Sequence, residues 1–256
     1  KTAYEIGVRL VGSEMCIRDS PYSLPVSVIV PVYNRKEILA KTLAGIINQT
    51  YPSDLVETIV ADDGSSDGVE NLIPEYSKFM DIKYVKQEDK GYRLSAVRNL
   101  GIKAAKHNHI IILDCDMLPT PELIESYMQY LHVTSEVVLI GYRRFVCTDD
   151  LSAEQIRKDI KLAIALPDII TNNPIITKKG HKGPTKDWRE EIYDNTNLLK
   201  DMDYPFRAFC GGNVAFPKSL LVRTGYFDED FQHWGGEDIE MGYRVYNNGF
   251  YFIPVK

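Results

Sequence analysis

Two aspartates two residues apart, Asp114 and Asp116 in the stretch IIILDCDMLPT, follow a run of apolar residues of the kind that builds a buried strand. With the backbone extended through them, both carboxylates project to one side and Cys115 to the other. Such a pair repels itself unless a cation lies close by. Hard oxygen donors with few imidazoles or thiolates around them suit Mg2+ or Mn2+ rather than zinc or copper. The plainer alternative is a pair of solvated aspartates capping the next helix, and DMLPTPE does look like a helix start. The neighbouring motifs must decide.

Four of them carry chemistry. ADDGSSD sets Asp62 and Asp63 before a glycine turn, which is also how an ordinary strand-to-helix turn looks. PVYNRKE, with Pro31, offers Tyr33 to stack on a base and Asn34 or Arg35 to reach ribose or phosphate; a β-turn opening a helix has the same pattern. QEDKGYRLSAVRNLG contains Gln87 and puts Arg93, Arg98 and Asn99 around a helix start, where arginine forks favour a phosphate over plain surface ion pairs. HWGGEDIEMGYR combines Trp234, two glycines that admit close backbone approach (Gly235, Gly236), and the acids Glu237, Asp238 and Glu240 at a helix start. First-turn acids also offset the helix dipole. An aromatic surface, steric room and a general base within about six residues are nevertheless what a sugar hydroxyl attacking an anomeric carbon requires.

These clusters need elements to hold them. VSVIVPVY reads as a strand and is followed by Leu39, Leu43, Ile46 and Ile47 at helical spacing. VETIVADD, DIKYVKQ and HIIILDCD read as further strands. Helices are expected within 69–80, on the face marked by Val97, Leu100 and Ala104, and on that of Ile124, Tyr127, Met128 and Leu131. Strands alternating with helices imply crossovers, hence a mostly parallel sheet with helices on both faces and a ligand at the strands' C-terminal ends. The first-half clusters all fall at such ends. Beyond VVLIGYRRFV the rhythm is lost through residues 148–205, an expected insertion, and it returns at FRAFCGGNVAF. The expected division is therefore 21–147, 148–205 and 206–256 of one domain, after a leader at 1–20 that fits no period and is read as non-native.

With 256 residues, 44% of them hydrophobic and 26% charged, the chain can bury a large core. A net charge of −6 argues against a nucleic-acid binder. Four scattered cysteines form neither a disulfide framework nor a zinc site and point to a reducing, cytoplasmic setting. Nothing approaches the ~20 apolar residues of a membrane span. Membrane association through another segment or partner stays open, and no feature sets an oligomeric state. KKGHKGPTKDWR, residues 178–189, reads as a solvated loop in preference to a lid or anionic-acceptor site.

Five ordered motifs, VSVIVPVYNR, VADDGSSD, QEDKGYRLSAVRNLG, LDCDM and FCGGNVAF…WGGEDIEMGYR, make the chain from about residue 26 resemble family 2 glycosyltransferases of the GT-A fold. WGGEDIEMGYR is similar to the segment shared by galactosyl- and N-acetylgalactosaminyltransferases, including chondroitin-polymerase-like enzymes. The resemblance implies an α/β, Rossmann-like GT-A domain with a helical or irregular insertion, a UDP-sugar donor (galactose or N-acetylgalactosamine favoured) and a glycan or other hydroxyl acceptor. Carried over by motif, Pro31, Tyr33, Asn34 and Arg35 would hold the nucleoside and Asp62 or Asp63 would read uracil. Gln87, Arg93, Arg98 and Asn99 would line the path to the diphosphate. Asp114 and Asp116 would be the DxD pair, with Asp116 the direct ligand of Mn2+ (or Mg2+). Asp238 would be the base of an inverting displacement, Glu237 would hold the donor sugar, Trp234 would stack on a sugar, and Gly211, Gly212 and Asn213 would line the acceptor side with Gly235 and Gly236.

The family usually adds a histidine metal ligand shortly after the strand that here reads FYFIPV. The sequence reaches Lys256 before one, which leaves a C-terminal truncation open, and His233 is a weak substitute. Two other functions compete: a nucleotide-sugar-binding module without turnover, and a sugar nucleotidyltransferase. The latter calls for a glycine-rich loop after the first strand, and PVYNRKE has no glycine.

Overall fold

The computed structural model describes residues 24–169 and 186–256. The expected leader, and most of KKGHKGPTKDWR, lie outside them. Seven strands form one sheet: β1 (Val26–Val32), β2 (Val56–Asp62), β3 (Asp81–Lys86), β4 (His109–Leu113), β5 (Val137–Gly141), β6 (Asn213–Pro217) and β7 (Tyr251–Val255). Their order is β3-β2-β1-β4-β6-β5-β7. β1 to β4 are parallel, as are β5 and β7, and β6 runs antiparallel between β4 and β5. Every residue of β1 and β2 is buried, which is why their sequences are mainly apolar without a polar face, and the buried Ser27 donates to the buried Glu57 at 2.6 Å.

Two apolar layers sandwich this sheet. On one face Val26, Val28 and Val30 pack with Leu39 and Leu43 of α1 (Lys36–Ile47), and the same cluster takes in α4 (Leu123–Val133) through Ile124, Tyr127, Met128 and Leu131. On the other, Ile29 and Ile59 pack with Val97 and Ile102 of α3 (Leu94–Ala104) and with Met241 and Val245 of α9 (Glu237–Asn247). Burying both faces is what the alternating strands and helices demanded.

Local departures have visible causes. The helix expected over 69–80 is a 3-10 turn, Val69–Leu72, and one helical turn, α2 (Ile73–Tyr76). Tyr76 closes it by turning inward and donating its hydroxyl to Ala40 O at 2.7 Å. The inward face of α3 is not Val97, Leu100 and Ala104 alone: Arg98 and Asn99 are buried while Leu100 is only half-buried. Between β5 and β6 lie α5 (Ala153–Lys158), capped by a Ser152–Gln155 box, then α6 (Lys161–Ile164) and α7 (Trp188–Asn195). Ile156, Ile160 and Ala163 pack against Ala44 of α1. α8 (Leu220–Thr224) follows β6. No described helix is long and apolar enough to cross a membrane.

Residues 186–189, the described end of the stretch read as a solvated loop, correct that reading. Asp187 and Arg189 are buried and paired at 2.5 Å, and Arg143 Nε donates to Asp187 at 2.9 Å. A single Asp/Arg spacing in a basic stretch gave no sign of this, because the partner Arg143 comes from the far side of the insertion.

Candidate active site

β1 pairs with β2 along its whole length, to Val32↔Asp62, but with β4 only as far as Ile29↔Ile112. Past Ile29 these two strands part, and Pro31, which has no N–H to offer a ladder, sits in that parting. Chain connections leave β1 and β4 in opposite directions across the sheet, so the crevice at their C-terminal ends is a topological switch point, where open α/β sheets bind ligands.

The rim on the β1–β2 side is a web of short-range bonds. Asn34 has φ +50°, donates its N–H to Ser65 Oγ and accepts from Ser66 N–H, each at 2.8 Å. Tyr33 is exposed and donates to Asp89 Oδ2 at 3.0 Å, and that carboxylate raises the phenol's pKa. Asp62 is sealed: it accepts from Gly64 and Ser65 N–H groups and from Tyr84 OH, with no exposed surface. Asp63 alone of the pair reaches the surface, 5% exposed. It accepts from the Gln87 amide and, at 3.0 Å, from the Arg93 N–H, and burial pushes its carboxyl up.

The opening expectation about the aspartates needs correcting. β4 ends at Leu113, and Met117 N–H donates to Asp114 O at 2.9 Å, so Asp114 and Asp116 lie in a turn rather than on one side of a strand. They accordingly have different partners. Arg35 reaches Asp116 Oδ2 at 3.3 Å in the open, whereas Asp114 Oδ1 takes Arg98 Nη2 at 3.3 Å. Arg98 is 1% exposed and gives its other nitrogen, Nη1, to Asp238 Oδ1 at 2.7 Å, with Glu237 Oε1 4.0 Å away. Burial works against its charge, but the three carboxylates overcome this and raise its pKa. One guanidinium thus faces three acids that are 16 to 140 positions away in sequence. The sequence placed Arg98 on a phosphate path; its second-turn position in α3 turns it inward to carboxylates.

Glycine makes this closeness possible. A Cβ on Gly211 would lie 2.5 Å from Asp238 Oδ1 and 2.7 Å from Arg98 Nη1, and one on Gly212 would lie 2.6 Å from Asp114 Oδ2. α9 opens from Gly235 and Gly236, both at positive φ (95° and 98°), which presents Glu237 and Asp238 in its first turn. Glu237 is buried, its Oε2 has no hydrogen-bond partner, and burial followed by the Asp238 charge raises its pKa. For Asp114 burial outweighs the pull of Arg98, and its carboxyl is also raised.

Two expected residues serve elsewhere. Asn99 holds the chain at Phe227, donating to its O at 2.8 Å and accepting from its N–H at 3.0 Å, instead of lining a diphosphate path. Asn213 is buried and accepts from Tyr127 OH at 2.7 Å, so it supports the sheet rather than an acceptor. His233 is exposed, as is Trp234, at 82%. A residue the motifs missed is Tyr92: burial first, then the charge of Glu237, lifts its hydroxyl to about 12. An aromatic beside the arginine in KGYR was the available signal.

Among the described residues no group of three or more His, Cys, Asp or Glu side chains could hold a metal alone. The donor set still fits a hard divalent ion. Each arginine occupies one carboxylate oxygen, leaving Asp114 Oδ2, against the open wall of Gly212, and Asp116 Oδ1 for a cation completed by a ligand's own oxygens.

Comparison with known proteins agrees with this layout. The model of glycosyl transferase family 2 matches residues 27–221, and that of the N-terminal domain of galactosyltransferase matches 195–255. The chain is 48% identical over 230 residues to the chondroitin synthase of Escherichia coli, covering 90% of this chain and 33% of that protein. It is 42% identical over 231 residues to the hyaluronan synthase of Pasteurella multocida, covering 90% and 23%. It therefore spans a third or less of these curated relatives. S. aureus TarS 1-349 in complex with UDP superimposes with a TM-score of 0.63 at 18% identity, covering 90% of this chain and 57% of that one.

Proposed function

The chain belongs to glycosyl transferase family 2, and from that premise we propose that it transfers a sugar, galactose or N-acetylgalactosamine, from a UDP-sugar to a glycan hydroxyl with inversion. The observation that carries the reading is the meeting of Asp114, Glu237 and Asp238 around Arg98, beside the parting of β1 and β4. It sets the carboxylates that this reading gives to donor and to acceptor within one guanidinium's span.

In this reading Tyr33 and Asp63 bound the nucleoside, and Arg35 and Arg93 flank the diphosphate. Asp116 and Asp114 would hold Mn2+ or Mg2+; when bound, such an ion neutralises charge developing on the leaving diphosphate. Glu237, buried with a spare oxygen, faces the donor sugar. Asp238 Oδ1 is held by Arg98, and Oδ2 takes the acceptor hydroxyl's proton as that oxygen attacks the anomeric carbon. The bond from that carbon to the β-phosphate oxygen breaks, and UDP departs on the opposite face.

Calorimetric titration of UDP with and without Mn2+ tests the donor half. Asp116→Ala should abolish the metal-dependent part of binding, and Asp238→Asn should leave binding nearly intact while removing transfer. Equal loss of binding in both variants would contradict the assigned roles, and intact transfer in Asp238→Asn would contradict the base.

A further inference from the structure

Arg98 is confined on every side. It is 1% exposed, its guanidinium carbon lies 5.4 Å from the centroid of the Phe227 ring, and the Gly211 backbone, in the turn ahead of β6, closes another approach. Phe227 is itself fixed through its N–H and C=O by Asn99, the next residue of the same helix. Consecutive α3 residues therefore do complementary work: Asn99 holds the ring, and the ring is a wall for Arg98. Nε of Arg98 is buried without an acceptor, so the group's placement is not dictated by satisfying its own donors. What its two terminal nitrogens do satisfy is one carboxylate on each side of the site.

We infer that Arg98 is a positioning residue for the transfer reaction: it fixes the Asp238 carboxylate so that Oδ2 faces the acceptor hydroxyl, and it ties that base to Asp114 so that the two carboxylates keep one spacing. The inference rests on the proposed transferase reading and adds to it a role for Arg98 on the acceptor side. A planar fork can serve two carboxylates at a fixed angle, whereas a lysine ammonium on a flexible stem cannot. A base whose orientation is lost misaligns the proton transfer without weakening nucleotide binding, and a misplacement of about 1 Å lowers turnover on the order of 100-fold.

The test is Arg98→Lys in the chain as it stands, read by UDP calorimetry without Mn2+ and by transfer from UDP-N-acetylgalactosamine or UDP-galactose to a chondroitin oligosaccharide at saturating Mn2+ and donor. The expected result is a metal-free UDP Kd within about threefold of the parent and a kcat lower by ~100-fold. Gly211→Ala, which crowds Nη1 and Asp238 Oδ1 without removing charge, should show the same split and serves if Arg98→Lys does not fold. Loss of UDP affinity in step with loss of transfer would return Arg98 to the donor site and overturn the inference. So would an undiminished kcat. A parent chain that binds UDP but transfers to none of these would instead sink the functional reading, and the inference with it.

Discussion

Asn99 offers the sharpest separation between what its motif implies and what its surroundings require. Asn99→Ala removes a donor 2.8 Å from Phe227 O and an acceptor 3.0 Å from Phe227 N–H, at a residue only 1% exposed. The third contact, to Glu229 Oε1 at 2.9 Å, joins a half-exposed side chain and adds little. Two buried main-chain groups are thus stranded, each at about 1–3 kcal/mol, which sums to about 4 kcal/mol at the midpoint of that range. For a chain of this size that corresponds to a melting temperature lower by about 10 °C. Asn99→Asp should be no better, because its carboxylate can still accept from Phe227 N–H but has no proton for Phe227 O. The assay is thermal melting beside UDP calorimetry at a temperature where parent and variants are folded. UDP affinity within about threefold of the parent is expected, since none of the three contacts faces the crevice. An unshifted melt together with UDP affinity weakened more than about tenfold would refute the reasoning and restore Asn99 to the nucleotide path.

Two more outcomes follow from close contacts. Gly212→Ala puts a carbon 2.6 Å from Asp114 Oδ2 and should weaken the Mn2+-dependent part of UDP binding by about 10–100-fold, leaving metal-free binding unchanged in the same titration. At the Asp187–Arg189 pair, burial tends to raise the Asp187 carboxyl, but Arg189 and Arg143 hold it below its usual range. A depressed folded-state pKa supplies stability above the unfolded carboxylate value of about 3.9 and loses it as pH falls through the folded value. Asp187→Asn should therefore cost about 3–5 kcal/mol at neutral pH and flatten the acid decline below about pH 4, as read from urea midpoints across that range.

The strands and the helix faces of α1 and α4 were legible because burial on the two sides of a sheet forces composition: mainly apolar strands, and helices with Leu39 and Leu43 one turn apart, or Ile124 and Leu131 two turns apart. The site's location was legible for a related reason, since polar residues closing an apolar strand have few structural uses. Partner choice was not. Arg98 and Asn99 look like a phosphate-binding pair in sequence, and only the arrival of residues 211, 227 and 238 across the sheet turns one to carboxylates and the other to main chain. The turn at Asp114–Met117 was hidden likewise, because where a strand stops is decided by the neighbour whose pairing runs out. β6 pairs through Leu113↔Asn213 and no further. Nor does local pattern disclose that FCGGNVAF enters the sheet against the direction of the others.

That reversed entry has an architectural consequence. β5 and β6 are antiparallel neighbours, with Ile140 opposite Val214, so everything between them, residues 142–212, is topologically the loop of one very long hairpin whose two feet stand on the same rim. Lengthening such a loop is cheap, about 0.6 kcal/mol for each doubling. The pairings of β1 with β2 and β4 lie outside that loop and keep their register whatever its length. The fold thus works as a socket: the segment ahead of the Gly211–Gly212 turn can change length while the sheet keeps its register, and that turn is the part that must stay for the carboxylates to keep their arginine.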